Sequence, residues 1–332
     1  MSRVVVIGAT GNVGTSLVAA LGAEDSVEEI VGVARRRPAV GQPKTSWQAA
    51  NIETDDLVPL LRGADCVVHL AWRIQPSHDV EALRRTNVDG SERVFRAVAA
   101  AGVSNLVYAS SVGAYSPGPK DRAVDESWPT DGTATSFYAR HKAEVERLLD
   151  RFEQEEPHVR VVRLRPGLIF KRRSATEQQR YFLGSLFPRV LARPRAIPIV
   201  PDLPRLRFQA VHAADVAEAY RLAIVGDARG AYNIAADPVL DPKELARALG
   251  ARPVPVPRGL ARTAISLTWQ LRLQPTPPGW LDMALSVPVM DTTRAREELD
   301  WQPRRSSVDA ILELLSGLRD GADEPTPPLQ RV

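Results

Sequence analysis

Up to residue 110 the chain alternates short β-branched runs with longer stretches of helical pattern. Val4, Val5, Val6 and Ile7 form one apolar run, Ile30 to Val33 a second, and Cys66 to Leu70 a third. Between them, residues 12–21 and 81–100 carry helical patterns, and a turn at Gly102 leads into a further strand at residues 106–109. This alternation predicts βαβ units. Parallel strands need crossovers, and crossovers are right-handed, so the expected fold class is α/β: a doubly wound, Rossmann-type parallel sheet with helices on both faces.

A helix over residues 136–152 and a strand over 159–164 extend the series, and Pro166 is expected to stop that strand because proline cannot serve a sheet interior. Beyond Gly167 the pattern loosens. A basic patch at Lys171, Arg172 and Arg173 precedes an apolar stretch from Tyr181 to Leu191 and prolines at 188, 194, 198, 201 and 204. A strand–helix pair over 208–225 and a strand over 231–235 return toward the sheet. The expected organisation is a dinucleotide-binding domain over 1–166 with return segments near 206–235. A smaller substrate-binding subdomain takes 167–205 and 236–319, and 320–332 reads as a disordered tail. No internal repeat is present.

Composition adds mainly exclusions. With 332 residues, 44% hydrophobic and 25% charged, the chain is ordinary for a folded globular protein. Its 43 basic residues exceed its 40 acidic ones by only three and are scattered, so nucleic-acid binding is unsupported. The single cysteine, Cys66, forms no intrachain disulfide, and no Cys/His cluster has metal-site spacing, so no metal is expected. With strand pattern from residue 3 and no leader-like segment, the expectation is a cytoplasmic protein without membrane partners. The apolar stretch from Gly259 to Leu273 is too short to span a bilayer and is interrupted by Arg262 and Arg272; it is expected to be a buried or groove-lining helix.

The first candidate chemistry lies where the first strand meets the first helix. Gly8, Ala9, Thr10, Gly11, Asn12, Val13 and Gly14 form a Gly-x-x-Gly-x-x-Gly loop in that position. Residues without Cβ let the chain turn tightly and let backbone approach a pyrophosphate, whose charge is favoured by free N–H groups at a helix N-terminus. NAD binders place an acidic residue about 20 residues on, at the end of the second strand. Here that place falls near Ala34, followed by Arg35 and Arg36. Guanidinium groups suit a 2′-phosphate, so NADP is the preferred cofactor over NAD.

The second candidate is catalytic. Tyr138 and Lys142 are four apart on a predicted helix and therefore share a face. A phenol has an ordinary pKa near 10, and a neighbouring ammonium favours its ionised form, so Tyr138 is expected to exchange a proton with a substrate oxygen while hydride moves at the attached carbon. Only five of the 43 basic residues are lysines, which adds modest weight to Lys142. Ser110 and Ser111 follow the strand at 106–109, at the carboxyl end where such sheets bind ligands, and a hydroxyl there stabilises developing charge.

The glycine loop, Asn87-Val88-Asp89-Gly90, the segment from Tyr108 to Tyr115, and Tyr138-Ala139-Arg140-His141-Lys142 together resemble the extended short-chain dehydrogenase/reductase family, in its NAD-dependent epimerase/dehydratase branch. Similarity runs from residue 3 to about 235, and residues 291–303 resemble the C-terminal signature of the family. The resemblance implies Ser111 rather than Ser110 as catalytic serine, Tyr138 as acid/base and Lys142 on the nicotinamide ribose. It implies Asn87 as support for the lysine through backbone and water, Asn51 and Ile52 near the adenine, and Leu70 and Ala71 beside the cofactor, with His69 structural. It also implies a possible homodimer through the helices at 81–100 and 136–152.

Two departures stand out. The Asp-Glu pair of the sugar-nucleotide 4,6-dehydratases is replaced by Val112-Gly113. The asparagine of many sugar-nucleotide epimerases is replaced by Arg165-Pro166-Gly167. Arginines 172, 173, 180, 205 and 207 are candidates for an anionic substrate, and Trp269, Trp280 and Met283 for a pocket wall or core. His212 and Asp215 are expected to cap or pack a helix. Three functions remain open: an NAD(P)-dependent oxidoreductase acting on a small carbonyl or alcohol, a sugar or sugar-nucleotide epimerase, and a non-catalytic NADP-sensing regulator.

Overall fold

A computed structural model of the chain describes residues 3–184, 192–193 and 196–330. Most of the apolar stretch expected up to Leu191 therefore lies outside the described residues. Seven strands form the central sheet: β1 (Arg3–Ile7), β2 (Glu29–Ala34), β3 (Thr45–Ala49), β4 (Cys66–His69), β5 (Asn105–Ala109), β6 (Arg160–Pro166) and β7 (Gly230–Ile234). They are all parallel, in the order β3-β2-β1-β4-β5-β6-β7.

Four helices cover the sheet: α1 (Asn12–Gly22), α2 (Gly90–Ala100), α3 (Phe137–Glu155) and α4 (Ala213–Val225). The continuous apolar runs read from the sequence are explained by burial on both faces. Val4 and Val6 point into a core with Leu17, Val18 and Leu21 of α1 and Val216 and Tyr220 of α4. Val5 and Ile7, one residue out of phase, point into the opposite core with Val94, Phe95 and Val98 of α2 and Val145 and Leu149 of α3. The two-residue pleat thus sorts one strand between two layers.

The chain turns back between β1 and β4, so their carboxyl ends open a crevice at the point where ligands of such sheets bind. The helical pattern over 81–100 resolves into Val80–Arg84, a π-helical turn at Arg85–Asp89, and α2. β6 runs two residues past Leu164 and ends at Pro166 as expected, with Pro166 its last paired residue, opposite Ile234 of the edge strand β7. Outside the main sheet, Leu168–Phe170 pairs with Ala210–His212, so the strand expected near 208 makes its own small ladder.

Two further expectations give way. The helix Arg258–Gln270 has no buried residue, and Leu260 and Leu267 are 65% and 54% exposed, so it is neither core nor fully groove-lining. Residues 322–330, whose composition predicts disorder, pack against the glycine loop, with Leu329 fully buried and Thr326 Oγ1 donating to Thr10 O at 2.9 Å. Among the described residues, no helix is long and apolar enough to cross a membrane.

Candidate active site

The glycine loop folds as its composition requires. Gly8 has φ +89°, and a Cβ there would lie 2.7 Å from Ala71 N. A Cβ on Gly14 would lie 2.4 Å from Gly8 O. Gly11 begins α1 with no side-chain cap, leaving first-turn amides free to meet an anion. Asn12 Nδ2 instead donates to Ile169 O at 3.3 Å, and Val13 packs on the core. These features fit a dinucleotide pyrophosphate.

The loop opens onto a cleft of about 310 Å³. Gly8, Thr10, Gly11, Arg35, Arg36, Asn51, Ile52, Leu70 and Ala71 all line it, so nine of the expected cofactor residues from separate stretches meet on one surface, whereas Asn12, Val13, Gly14, Tyr138 and Lys142 are not part of its lining. Asn51 Oδ1 accepts from Glu53 N at 3.2 Å, which turns the chain beneath the cleft. Arg180, a candidate for an anionic substrate, lines it as well, and so do Glu177, Tyr181, Pro327 and Pro328, which were not anticipated because they come from segments with no motif. Burial pushes the Glu177 carboxyl up to about 7, against the pull of Arg180 and Lys171.

Trp72, directly after the His69-Leu70-Ala71 run, also lines the cleft. Its ring centroid is 3.5 Å from Lys142 Nζ and 5.9 Å from the Tyr138 ring, which it meets edge-on. Lys142, buried, also donates to Ala109 O at 2.6 Å. Tyr138 hydrogen-bonds Ser111, whose Oγ accepts from Gly113 N at 3.0 Å. The strand end of β5 and the first turns of α3 therefore bring Ser111, Tyr138 and Lys142 together. Ser110 faces elsewhere: its hydroxyl donates to buried Glu146 at 2.5 Å.

Electrostatics depart from the expectation of an ionised phenol. Burial pushes the Tyr138 hydroxyl up to about 12, only partly opposed by the Ser111 bond. Burial also drives the Lys142 ammonium well below its ordinary range, with Glu146 opposing. The lysine is engaged by Ala109 O and the Trp72 face. His69, fully buried and 2.9 Å from Ser91 Oγ, is pushed down to about 3 by burial and then by Lys142; it is a neutral packing residue.

Asn87 sits in the π-helical turn, a feature common at functional sites. Rather than meeting Lys142, its side chain brackets the backbone of Arg73, accepting from N at 2.7 Å and donating to O at 3.0 Å. It thereby holds the strip that carries Trp72. A second unanticipated device is Glu146. Tyr138, Lys142 and Glu146 are spaced four and four along α3, and Glu146 takes Arg165 Nε at 2.9 Å and Arg163 Nη1 at 3.0 Å. Burial raises the Glu146 carboxyl, but these guanidiniums win and hold it at about 2. The ion pair pins α3 to β6.

Most of the other candidates are accounted for locally. Arg172 pairs with Asp320, Arg180 donates to Pro328 O, and Arg205 donates to Gly118 O. Arg173 approaches Glu324 at 3.9 Å, and Arg207 is half-buried near Lys120. His212 Nδ1 accepts from Ala214 N and caps α4. Trp269 stacks on His78, whereas Trp280 and Met283 stand beside Tyr138 and Gly113. Among the described residues, no group of acidic, His or Cys side chains could hold a metal.

The model of the NAD dependent epimerase/dehydratase family matches residues 4–235. The chain belongs to this family. Two uncharacterized proteins of Mycobacterium tuberculosis are each 26% identical to it, over 96% and 95% of the chain. The chain spans 30% of the length of the first and 83% of the second. Among solved structures, the UDP-glucose 4-epimerase of Thermus thermophilus in complex with NAD is similar with a TM-score of 0.68 and 21% identity. That similarity covers 96% of this chain and 99% of the other. Family membership bears out the expected epimerase/dehydratase branch, and the solved structure bears out the expected Rossmann-type fold.

Proposed function

We propose that the chain is an NADP-dependent oxidoreductase that interconverts a carbonyl and an alcohol in a small substrate. The observation that carries this is the meeting of Ser111, Tyr138 and Lys142 beside Trp72, which lines the cleft together with the glycine loop. The bound nicotinamide supplies the hydride, or accepts it in the reverse direction. Ser111 and Tyr138 hydrogen-bond the substrate oxygen, and Tyr138 moves the proton to or from it. A phenol held protonated up to about 12 suits the donor role needed for reduction. Lys142 orients the cofactor ribose, and Asn87 holds the strip that forms the wall.

Two observations favour an oxidoreductase over a nucleotide-sugar epimerase or dehydratase. Arg165, where many sugar-nucleotide epimerases carry asparagine, is turned inward onto Glu146, Tyr115 and Glu126 O. At Gly113 a side chain has no room, since a Cβ would lie 2.8 Å from the Tyr138 ring. NADP rather than NAD is favoured by Arg35 and Arg36 on the cleft wall with no acidic residue at the end of β2.

The test is NADPH consumption over a carbonyl panel, with product analysis for isomerised sugar. Tyr138→Phe is expected to lower turnover about 10²–10⁴-fold, the usual worth of a general acid, while NADPH affinity stays within about twofold. An active phenylalanine variant would overturn the mechanism. Replacing Arg35 and Arg36 together by alanine is expected to weaken NADPH about tenfold or more and NADH little, as measured by calorimetry; equal losses would refute the phosphate assignment.

A further inference from the structure

The helix Arg258–Gln270 turns toward solvent the kind of face that helices ordinarily bury. Among the described residues, five large apolar side chains are more than half exposed, and four of them, Leu260, Leu267, Leu271 and Leu273, belong to this helix and the turn that ends it. Leu260, Ala264, Leu267 and Leu271 follow one another at steps of four, three and four, so they form a single stripe along the axis. The anchored side is the opposite one. Ile265 and Trp269 are half-buried, Trp269 stacks on His78 at 4.3 Å, and Arg262 Nε meets the buried Asp282 carboxylate at 3.0 Å. The leucines therefore project from the outer side of a helix held from beneath. Single exposed leucines need no explanation, but a contiguous apolar stripe marks a surface that a partner covers.

Charge indicates which partner. From Leu245 to Leu281 the chain carries five arginines and no carboxylate. Asp282, the first acid after this stretch, is buried, and the two arginines that reach it, Arg258 and Arg262, keep 56% and 44% of their side-chain surface in water. Arg272, just past the helix, is exposed. A second copy laid helix against helix, in either direction, would set these arginines against their own kind with no carboxylate from the stretch between them. A partner helix needs a groove, and the stripe is a ridge. An anionic bilayer surface satisfies both features, because leucines enter the acyl boundary while guanidiniums meet phosphate headgroups. With 13 residues the helix is about 20 Å long, well short of the ~30 Å hydrocarbon core, so it lies in the interface and does not cross it.

We propose that the helix Arg258–Gln270 and the turn to Leu273 form a docking ridge for an anionic phospholipid surface, a partner not expected from the sequence. Docking through this ridge engages two segments that flank Tyr138. Trp269 ties the helix to His78, on the segment that follows Trp72, and Arg258 and Arg262 tie it to Asp282, on the helix that carries Trp280 and Met283.

The test is cosedimentation of the full chain with sucrose-loaded vesicles of phosphatidylglycerol and phosphatidylcholine in equal parts, against vesicles of phosphatidylcholine alone. Binding to the anionic vesicles is expected to be about tenfold tighter or more, and to weaken about fivefold or more when sodium chloride rises from about 50 to about 500 mM. Leu260→Ser together with Leu267→Ser should weaken it about tenfold or more, and Arg272→Ala about fivefold. The melting temperature of each variant, which reports folding, is expected to stay within about 3 °C of the unsubstituted chain's, since the replaced side chains are exposed. Failure to bind either vesicle, equal binding to both, or undiminished binding by the double serine variant overturns the proposal. So does a dimer in sedimentation velocity that the double serine variant loses, because the leucines would then cover one another.

Discussion

Ser110 and Ser111 are adjacent and chemically identical, yet the structure gives them different tasks. Ser111 bonds Tyr138 and accepts from Gly113 N, whereas Ser110 donates to Glu146, a fully buried carboxylate that also holds two arginines. Ser111→Ala is therefore expected to lower kcat about 10²–10³-fold, as loss of one group stabilising developing charge does, with thermal stability nearly unchanged. Ser110→Ala removes one donor from a buried charge and should cost about 1–3 kcal/mol in urea unfolding while leaving much of kcat. The reverse pattern would exchange the two assignments. The family resemblance favoured Ser111, but only the packed structure displays the reason: the two hydroxyls leave the strand end in different directions.

At the scale of elements, the glycine loop separates glycines that serve packing from one that serves a ligand. Gly14 faces backbone, with Gly8 O 2.4 Å from a would-be Cβ, so Gly14→Ala forces α1 away from the loop. Its expected cost is about 1–3 kcal/mol, as for other overpacked sites, with a lower melting temperature even without cofactor. A Cβ on Gly11 meets only Gly8 O, at an ordinary 3.5 Å. Gly11→Ala should keep the melting temperature of the free protein and weaken NADPH about tenfold, because a methyl group intrudes where backbone must approach phosphate. Equal effects in both variants would remove the distinction. This loop was readable in advance because strand, turn and helix are consecutive in the chain, and Tyr138 with Lys142 because a helical period is local. Glu146 carried a faint signal in the same period. Trp72 carried none: its importance comes from Lys142, seventy residues further on, placing an ammonium on its face.

For the whole molecule, the part that composition misjudged is the C-terminal strap. Residues 320–332 are polar and proline-rich, which favours disorder when nothing compensates the ordering entropy. Compensation comes from contacts that cross the length of the chain. Glu324 takes Lys171 Nζ at 2.7 Å and Thr15 Oγ1 at 3.1 Å, and Thr326 donates to Thr10 O in the glycine loop itself. Pro327 and Pro328 then wall the cofactor cleft, with Pro328 O accepting from Arg180 at 2.6 Å and Pro327 O within 3.5 Å of Arg36. Ending the chain after Gly321 leaves Lys171 buried without its carboxylate and opens that wall. Breaking a buried pair from one side costs about 3–5 kcal/mol, discounted here because Glu324 keeps some solvent contact, so a loss of about 2 kcal/mol in urea unfolding is expected. More informative is the cofactor: stopped-flow displacement of NADPH should show release several-fold faster than in the full chain, with the association rate changed much less, because the strap forms a wall of the bound state. An unchanged release rate in a truncated but folded protein would reduce the strap to a packing element, and slower release would mean that freeing Arg36 outweighs the lost wall.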